Sequence, residues 1–220
     1  MKLSDDLQLQ QRVIDELVFD PSVHAAHIGV NARNGVVTLN GHVHSVAEKF
    51  AAEQAVRRVK GVKAIAQELE VHLAADKKTA DDEIAQRAAR LLAWDVLIPP
   101  NSITVKVEHG ILTLSGAVEW GYQRDEAEHD VRRLSGVSTV VNDIEIRSKV
   151  SPADIKASLR AAFERNAEIE ASGITVEVKD GRVILGGKVR SWIECEQAER
   201  AAWSVPGVTA VIDRIAIGSP

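Results

Sequence analysis

The chain predicts an α+β fold built three times over, and three observations predict it. The first is a β-hairpin pattern. In Val105–Val118, apolar residues alternate on either side of His109-Gly110, with Ile103, Val105 and Val107 before the turn and Leu112, Leu114 and Val118 after it. That period of two puts one face of each strand against a core. The second is repetition. The same hairpin recurs at Ile28–Val43 and Ile174–Val189, and glycines fall in register through all three copies. The turn glycines are Gly35, Gly110 and Gly181, the strand glycines Gly41, Gly116 and Gly187, and the later glycines Gly61, Gly136 and Gly207. Each of the last three precedes a valine, and no gap is needed to align them. The third is that each hairpin is flanked by stripes of helical period and followed by one more strand pattern. The unit is α-β-β-α-β: a three-stranded sheet covered on one face by two helices. Three such domains are predicted, at residues 1–73, 79–147 and 151–218.

The elements follow in order. Ser4 followed by Asp5-Asp6 reads as a helix start, with a stripe of Leu7, Val13, Ile14 and Leu17, and Asp20-Pro21 ends it. After the first hairpin, Ala52, Val56 and Val59 share one face of a second helix. Gly61 closes it, with Arg57, Arg58 and Lys60 near its negative end. Ile65, Leu69 and Val71 mark the third strand.

A polar linker leads to the second unit, whose Thr79-Ala-Asp-Asp82 resembles a capping box. Ile84, Ala88, Leu91 and Leu92 form its first stripe, broken by Pro99-Pro100. Ala127, Val131 and Leu134 form its second, and Val137 to Ile146 its last strand. In the third unit Ser151-Pro-Ala-Asp154 supplies an N-cap, a proline at N1 and an acid at N3. Ile155, Leu159, Ala162 and Phe163 follow, then Ala198, Ala202 and Val205, then the strand Val208 to Ile217.

The strand glycines share parity with the core residues. A missing side chain on a buried face implies close approach of another backbone, and the expected neighbour is a helix, with Ala52, Ala127 and Ala198 lying over Gly41, Gly116 and Gly187. The opposite face is polar, as in Thr38, Asn40, His42 and His44.

Composition narrows the function classes. Net charge is −5 and no third of the chain is net basic, so no nucleic-acid footprint is visible. Aromatic residues make up only 4%, so the cores are aliphatic. The single Cys195 rules out an intramolecular disulfide. No apolar run is long enough for a transmembrane segment. The stretch from Met1 has no apolar leader, so a cytoplasmic location is expected, or a periplasmic one if the chain is a processed form.

These motifs together resemble the BON domain family. Its hallmarks are a hairpin of the form G-x-V-x-L-x-G-x-V, a helix ending in G-V, and a strand V-x-N-x-I-x-V. Unit two shows them in Gly110–Val118, Gly136-Val137 and Val140–Ile146. Asn142 matches the strand asparagine, while Gln67 and Asp213 replace it in the other units. The resemblance spans nearly the whole chain and is closest to the multi-domain, osmotically inducible type. It implies a non-enzymatic role, association with a phospholipid surface or an envelope protein, and a link to osmotic stress in bacteria. One type of BON domain binds potassium ions, so ion sensing is a lesser option. A cytoplasmic protein-interaction or stress-protective scaffold is the alternative.

Few residues suggest chemistry. His42-Val-His44 puts two imidazoles on one strand face, but only unit one has the pair, so it reads as a polar solvent face and no metal is expected. Cys195 aligns with Lys49 and Arg124, which predicts partial exposure, and no histidine is near it in sequence. No nucleophile, acid–base pair or cofactor motif emerges, so no catalytic residue and no cofactor is expected. The candidate ligand or membrane contacts are Trp120 and Trp192, at the start of the second helices, and the basic pairs Arg57-Arg58 and Arg132-Arg133. Packing between neighbouring units competes as a role for the tryptophans. Trp203, between Ala202 and Val205, is expected to be half-buried.

Overall fold

The structure is a computed structural model and describes residues 2–73, 80–147, 155–165 and 173–218. The element order is the predicted one. Repeat one contains α1 (Lys2–Phe19), β1 (Ile28–Arg33), β2 (Val36–Val43), α2 (Val46–Arg58) and β3 (Ala64–Val71). Repeat two contains α3 (Asp81–Trp94), β4 (Ile103–Glu108), β5 (Ile111–Val118), α4 (Gly121–Val131) and β6 (Thr139–Ile146). Repeat three contains α5 (Ile155–Arg165), β7 (Ile174–Lys179), β8 (Arg182–Val189), α6 (Trp192–Trp203) and β9 (Ala210–Ile217). The expected caps at Thr79 and Ser151–Asp154 lie outside the described residues.

Each repeat carries its own three-stranded sheet, ordered β1-β2-β3, β4-β5-β6 and β7-β8-β9. In repeats one and three the hairpin pair is antiparallel and the last strand joins its second strand in parallel, so the sheets are mixed. The parallel partner needs a crossover, and the second helix is that crossover. At the three hairpin turns both central residues have positive φ: Asn34-Gly35, His109-Gly110 and Asp180-Gly181. This is the turn whose twist matches that of the flanking strands.

By spatial proximity the chain falls into two compact bodies. One is Met1–Arg90, Val105–Thr113 and Asp130–Val141; the other is Leu91–Thr104, Leu114–His129 and Asn142–Pro220. Repeat one lies wholly in the first, repeat three wholly in the second.

The helical stripes pack where spacing places them, with two adjustments. In α1 the buried positions are Leu9, Val13 and Leu17, while Leu7 is exposed. A strict four-residue step keeps three large side chains on one face, and Leu7 falls outside it. The helix also starts at Lys2, ahead of the Ser4 expected to cap it. α3 buries Ile84, Ala88 and Leu92 and then stops at Trp94, before the prolines. Asp95 ends it by accepting the Leu97 amide at 2.7 Å, a local turn that competes with the helix. α5 buries Ile155, Leu159 and Phe163.

The strand glycines are tight for a different reason than the one expected. Gly41, Gly116 and Gly187 have φ of 109°, 135° and 106°. A Cβ built on each would overlap a carbonyl oxygen, of His27, Ser102 and Gly173 respectively. The crowding backbone is therefore the lead-in to the first strand of the hairpin, not a helix. Ala117 makes use of that carbonyl, its amide donating to Ser102 O at 3.1 Å. Only glycine combines this backbone conformation with this approach.

Acids near the start of α1 and α3 reach across to the hairpin. Asp81 accepts the His109 and Gly110 amides at 2.7 and 2.9 Å, and Asp6 accepts the Asn34 amide at 2.8 Å. The Gly110 and His109 amides hold the Asp81 carboxyl below its ordinary value. In repeats one and two the start of the first helix is thereby fastened to the hairpin turn.

Candidate functional site

Three surfaces concentrate side chains that an ordinary soluble face would not. The first is the tip that follows α3. Ile98 turns inward and is buried, which anchors the tip, while the Asp95 turn throws its neighbours outward. Trp94 is 87% exposed, Val96 95% and Leu97 45%. Three large apolar side chains in four consecutive positions thus stand in water. Repeat one has a counterpart at the aligned end of α1, where Phe19 is 83% exposed beside Val18. Scattered exposed apolar residues need no explanation, but a contiguous aromatic tip marks an interaction site.

The second surface is a groove of about 730 Å³ in the second body. Trp120, Tyr122 and Trp203 line it together with Arg124, Arg200 and Glu196. The half-buried Trp203 packs against Gly121, where a Cβ would come within 2.8 Å of the indole. The Arg124 guanidinium lies 4.5 Å from a Trp203 ring centroid, a cation–π contact.

The predicted contact residues fall at or beside α2, α4 and α6. Trp120 lines the groove; Trp192, at the start of α6, is not among the residues lining it. Arg57 pairs with Glu53 at 2.6 Å along α2. Arg58 is held by Glu16 at 2.9 Å and Asp20 at 2.8 Å, which ties α2 to the end of α1. The hydrogen bonds from Ser22 and Arg58 keep the Asp20 carboxyl below its ordinary value. Arg132 follows α4 with its guanidinium 4.2 Å from the Phe50 ring centroid. Arg133 is exposed.

The third surface is one end of the first sheet, where five histidines meet around a buried carboxylate. His42 stacks on His27, with centroids 4.6 Å apart, and on His72, at 4.8 Å. His44 stands edge-on to His24, His27 and His42 at 5.9, 6.0 and 6.1 Å. Burial, then the neighbouring His27, His72 and His44, hold the His42 imidazole below its ordinary value. Glu48 lies beneath them, 6% exposed. It accepts the His24 and His44 amides, both at 2.8 Å, and its Oε1 lies 3.1 Å from His24 Nδ1. Burial opposes its ionisation, but the hydrogen bonds from His44 and His24 outweigh that, and its carboxyl sits below the ordinary value.

Glu48 is also half of a capping box that the periodicity of α2 does not reveal. Ser45 Oγ accepts the Glu48 amide at 3.1 Å while Glu48 reaches back to the His44 amide. Ser191 and Glu194 repeat the arrangement at α6. In repeat two Gln123 Oε1 accepts the Glu119 and Trp120 amides. The S-x-x-E signature of two of these is legible in the residues. The histidine gathering is legible only once strand pairing is known, because His24, His27 and His72 are distant in sequence from His42 and His44.

The polar residue of the last strand has a structural task. Asn142 Nδ2 donates to Arg124 O at 3.2 Å, and Gln67 Nε2 to Lys49 O at 3.4 Å. Asp213 has no donor to offer, and there the polarity reverses: Cys195 Sγ donates to Asp213 Oδ2 at 2.8 Å. Cys195 is therefore buried, 3% exposed, rather than partly exposed as its aligned partners suggest. The short thiol meets Asp213, whereas the longer Lys49 side chain reaches on to Leu69 O at 2.7 Å.

Comparison with known proteins agrees with this architecture. The family model described as BON domain matches three times, at residues 5–72, 80–148 and 151–219. The osmotically-inducible protein Y of Escherichia coli (strain K12) is 31% identical over 148 residues, covering 65% of this chain and 73% of that protein. Among solved structures, CdsD, a structural protein of the type III secretion system of Chlamydia trachomatis, aligns over 96% of this chain and 92% of its own at 15% identity and a TM-score of 0.27. A second structure, of the CdsD C-terminal domain, aligns at 16% identity and the same score. At that score neither overlay bears on function.

Proposed function

Because the chain belongs to the BON domain family, with three copies in tandem, we propose that it is a non-enzymatic module that docks peripherally on a phospholipid surface of the cell envelope, in an osmotic-stress role. The observation that carries this reading is the Trp94–Leu97 tip. Indole and aliphatic side chains of this kind partition into the boundary between headgroups and acyl chains. Phe19 supplies a second aromatic of the same kind on repeat one. The relationship to the osmotically-inducible protein Y supports the stress connection. No described helix is long and apolar enough to cross a membrane, so any docking through these elements is peripheral.

The charge pattern shapes the expectation. With a net charge of −5, and with Arg57 and Arg58 already paired to acids, attraction to anionic lipid is not the driving force. Docking is apolar, and so insensitive to salt. The test is co-sedimentation with vesicles of zwitterionic and of mixed anionic lipid, at low and high salt. The expected result is binding in all conditions, reduced about tenfold or more by Trp94→Ala, since burying a large apolar side chain contributes about 1.5–3 kcal/mol. Absence of binding in every condition removes lipid as the ligand. The scaffold reading, with the Trp120–Trp203 groove as the partner's seat, then takes its place.

A further inference from the structure

Five of the seven histidines in the chain stand at one end of the first sheet, and strand pairing puts them there. The antiparallel register sets Ile28 opposite Gly41, so His27 and His42 are neighbours across the hairpin. The parallel register sets Val43 beside Val71, and the His72 amide continues the ladder by donating to Val43 O at 2.8 Å. His24 precedes the short turn Ala25–His27 and is fixed by Glu48.

As they stand the rings stack or meet edge-on, and their nitrogens do not converge; the spacing of the centroids is what suits a ligand set. The centroids of His27, His42 and His44 form a triangle with sides of 4.6, 6.0 and 6.1 Å, whose circumradius is about 3.3 Å. A zinc ion bound about 2.0–2.1 Å from an imidazole nitrogen lies about 3.2 Å from that ring's centroid. One point therefore stands at bonding range from all three rings. Binding therefore requires His27 and His42 to turn about Cβ–Cγ, a rotation that moves the centroids little.

The surroundings are those of a supported site. Glu48, buried and hydrogen-bonded to the amides of His24 and His44, fixes the backbone on both flanks. Its contact with His24 Nδ1 holds that ring beside His44.

We propose that His27, His42 and His44 bind one divalent transition-metal ion of borderline softness, of the Zn²⁺ or Cu²⁺ class, with water in the fourth position. Neutral imidazoles favour these ions over Mg²⁺ or Ca²⁺, which take oxygen ligands. The site belongs to repeat one alone. Where it has His42 and His44, repeat two has Ala117 and Glu119, and repeat three Lys188 and Arg190. It is independent of the lipid-docking tip.

The test uses the full chain, titrated near neutral pH with Zn²⁺ by calorimetry and with Co²⁺ by absorption. One Zn²⁺ per chain with a Kd of about 10 μM or tighter is expected, with the strong visible bands of four-coordinate Co²⁺. The double variant His42→Gln/His44→Gln lowers affinity about 100-fold or more, and His129→Gln in α4 leaves it unchanged. His27→Gln, a residue outside the strands, gives an independent reading should the double variant fail to fold, and is expected to weaken binding at least tenfold. A Kd weaker than about 10 μM, or an affinity that His27→Gln leaves intact, overturns the proposal.

Discussion

Repeats one and three share a frame and differ in what the frame carries. Their sheets pair in the same register, Ile28 opposite Gly41 in one and Ile174 opposite Gly187 in the other, with Val43 beside Val71 and Val189 beside Ile217. The ladder closes alike at the end: the His72 amide donates to Val43 O and the Gly218 amide to Val189 O. Yet the positions that hold His27, His42, His44 and His72 in repeat one hold Gly173, Lys188, Arg190 and Gly218 in repeat three. The difference teaches that backbone geometry is copied where a carbonyl or a positive φ demands it, while the side chains at the sheet end differ between the repeats.

The largest effect tests the shared frame. Gly41→Val and Gly187→Val each force a Cβ into a carbonyl oxygen at positive φ, and each is expected to cost its own repeat about 3 kcal/mol or more. Thermal denaturation monitored by circular dichroism measures both. Strongly unequal losses mean that the two frames are not equivalent.

The next effect sharpens the difference between the sheet ends. Glu48 is buried and holds two amides and a ring, whereas Glu194 is half-buried and accepts the Arg190 amide at 3.2 Å. Glu48→Ala removes the acceptor of two amides and a ring and is expected to cost about 1–2 kcal/mol, against about 0.5–1 kcal/mol for Glu194→Ala. Equal costs in urea titration contradict the contrast.

A pH profile follows from the same carboxylate. Its folded pKa is depressed, so its contribution is present above the unfolded glutamate value and is lost as pH falls through the folded one. Glu48→Gln is expected to flatten the acid limb of the stability profile, and an unaltered limb means that Glu48 does not supply it.

The smallest effect concerns the last strand. Asp213→Asn restores the donor that Asn142 offers to Arg124 O, while its oxygen can still accept the Ile215 amide, now at 2.8 Å from Asp213 Oδ1. It is expected to shift stability by less than about 1 kcal/mol, with Asp213→Ala costing about 1–2 kcal/mol. A loss for Asp213→Asn as large as that for Asp213→Ala means that the Cys195 thiol bond carries the position.

The α-β-β-α-β order was legible because alternation and helical period are local, and because glycines in register repeat three times. Even so, alternation could say that Gly116 lacks a side chain on a crowded face without saying what crowds it, since Ser102 O arrives through the twist of the hairpin. Leu7 and Ser4 misled because a short apolar or capping pattern fits more than one helical phase. Trp203 was legible as half-buried from its neighbours Ala202 and Val205, but its meeting with Trp120 in one groove was not, since the two are distant in sequence. Of the histidine end only His42 and His44 could be seen in one strand; the other three arrive by pairing between strands, and Glu48 by the capping box beneath them.

The bond between Cys195 and Asp213 has one more consequence. The chain's only sulfhydryl is sealed inside repeat three, so an alkylating reagent reaches it only when that repeat opens. Labelling kinetics then time the breathing of a single module among three near-copies, with no engineered probe and no interference from the other two.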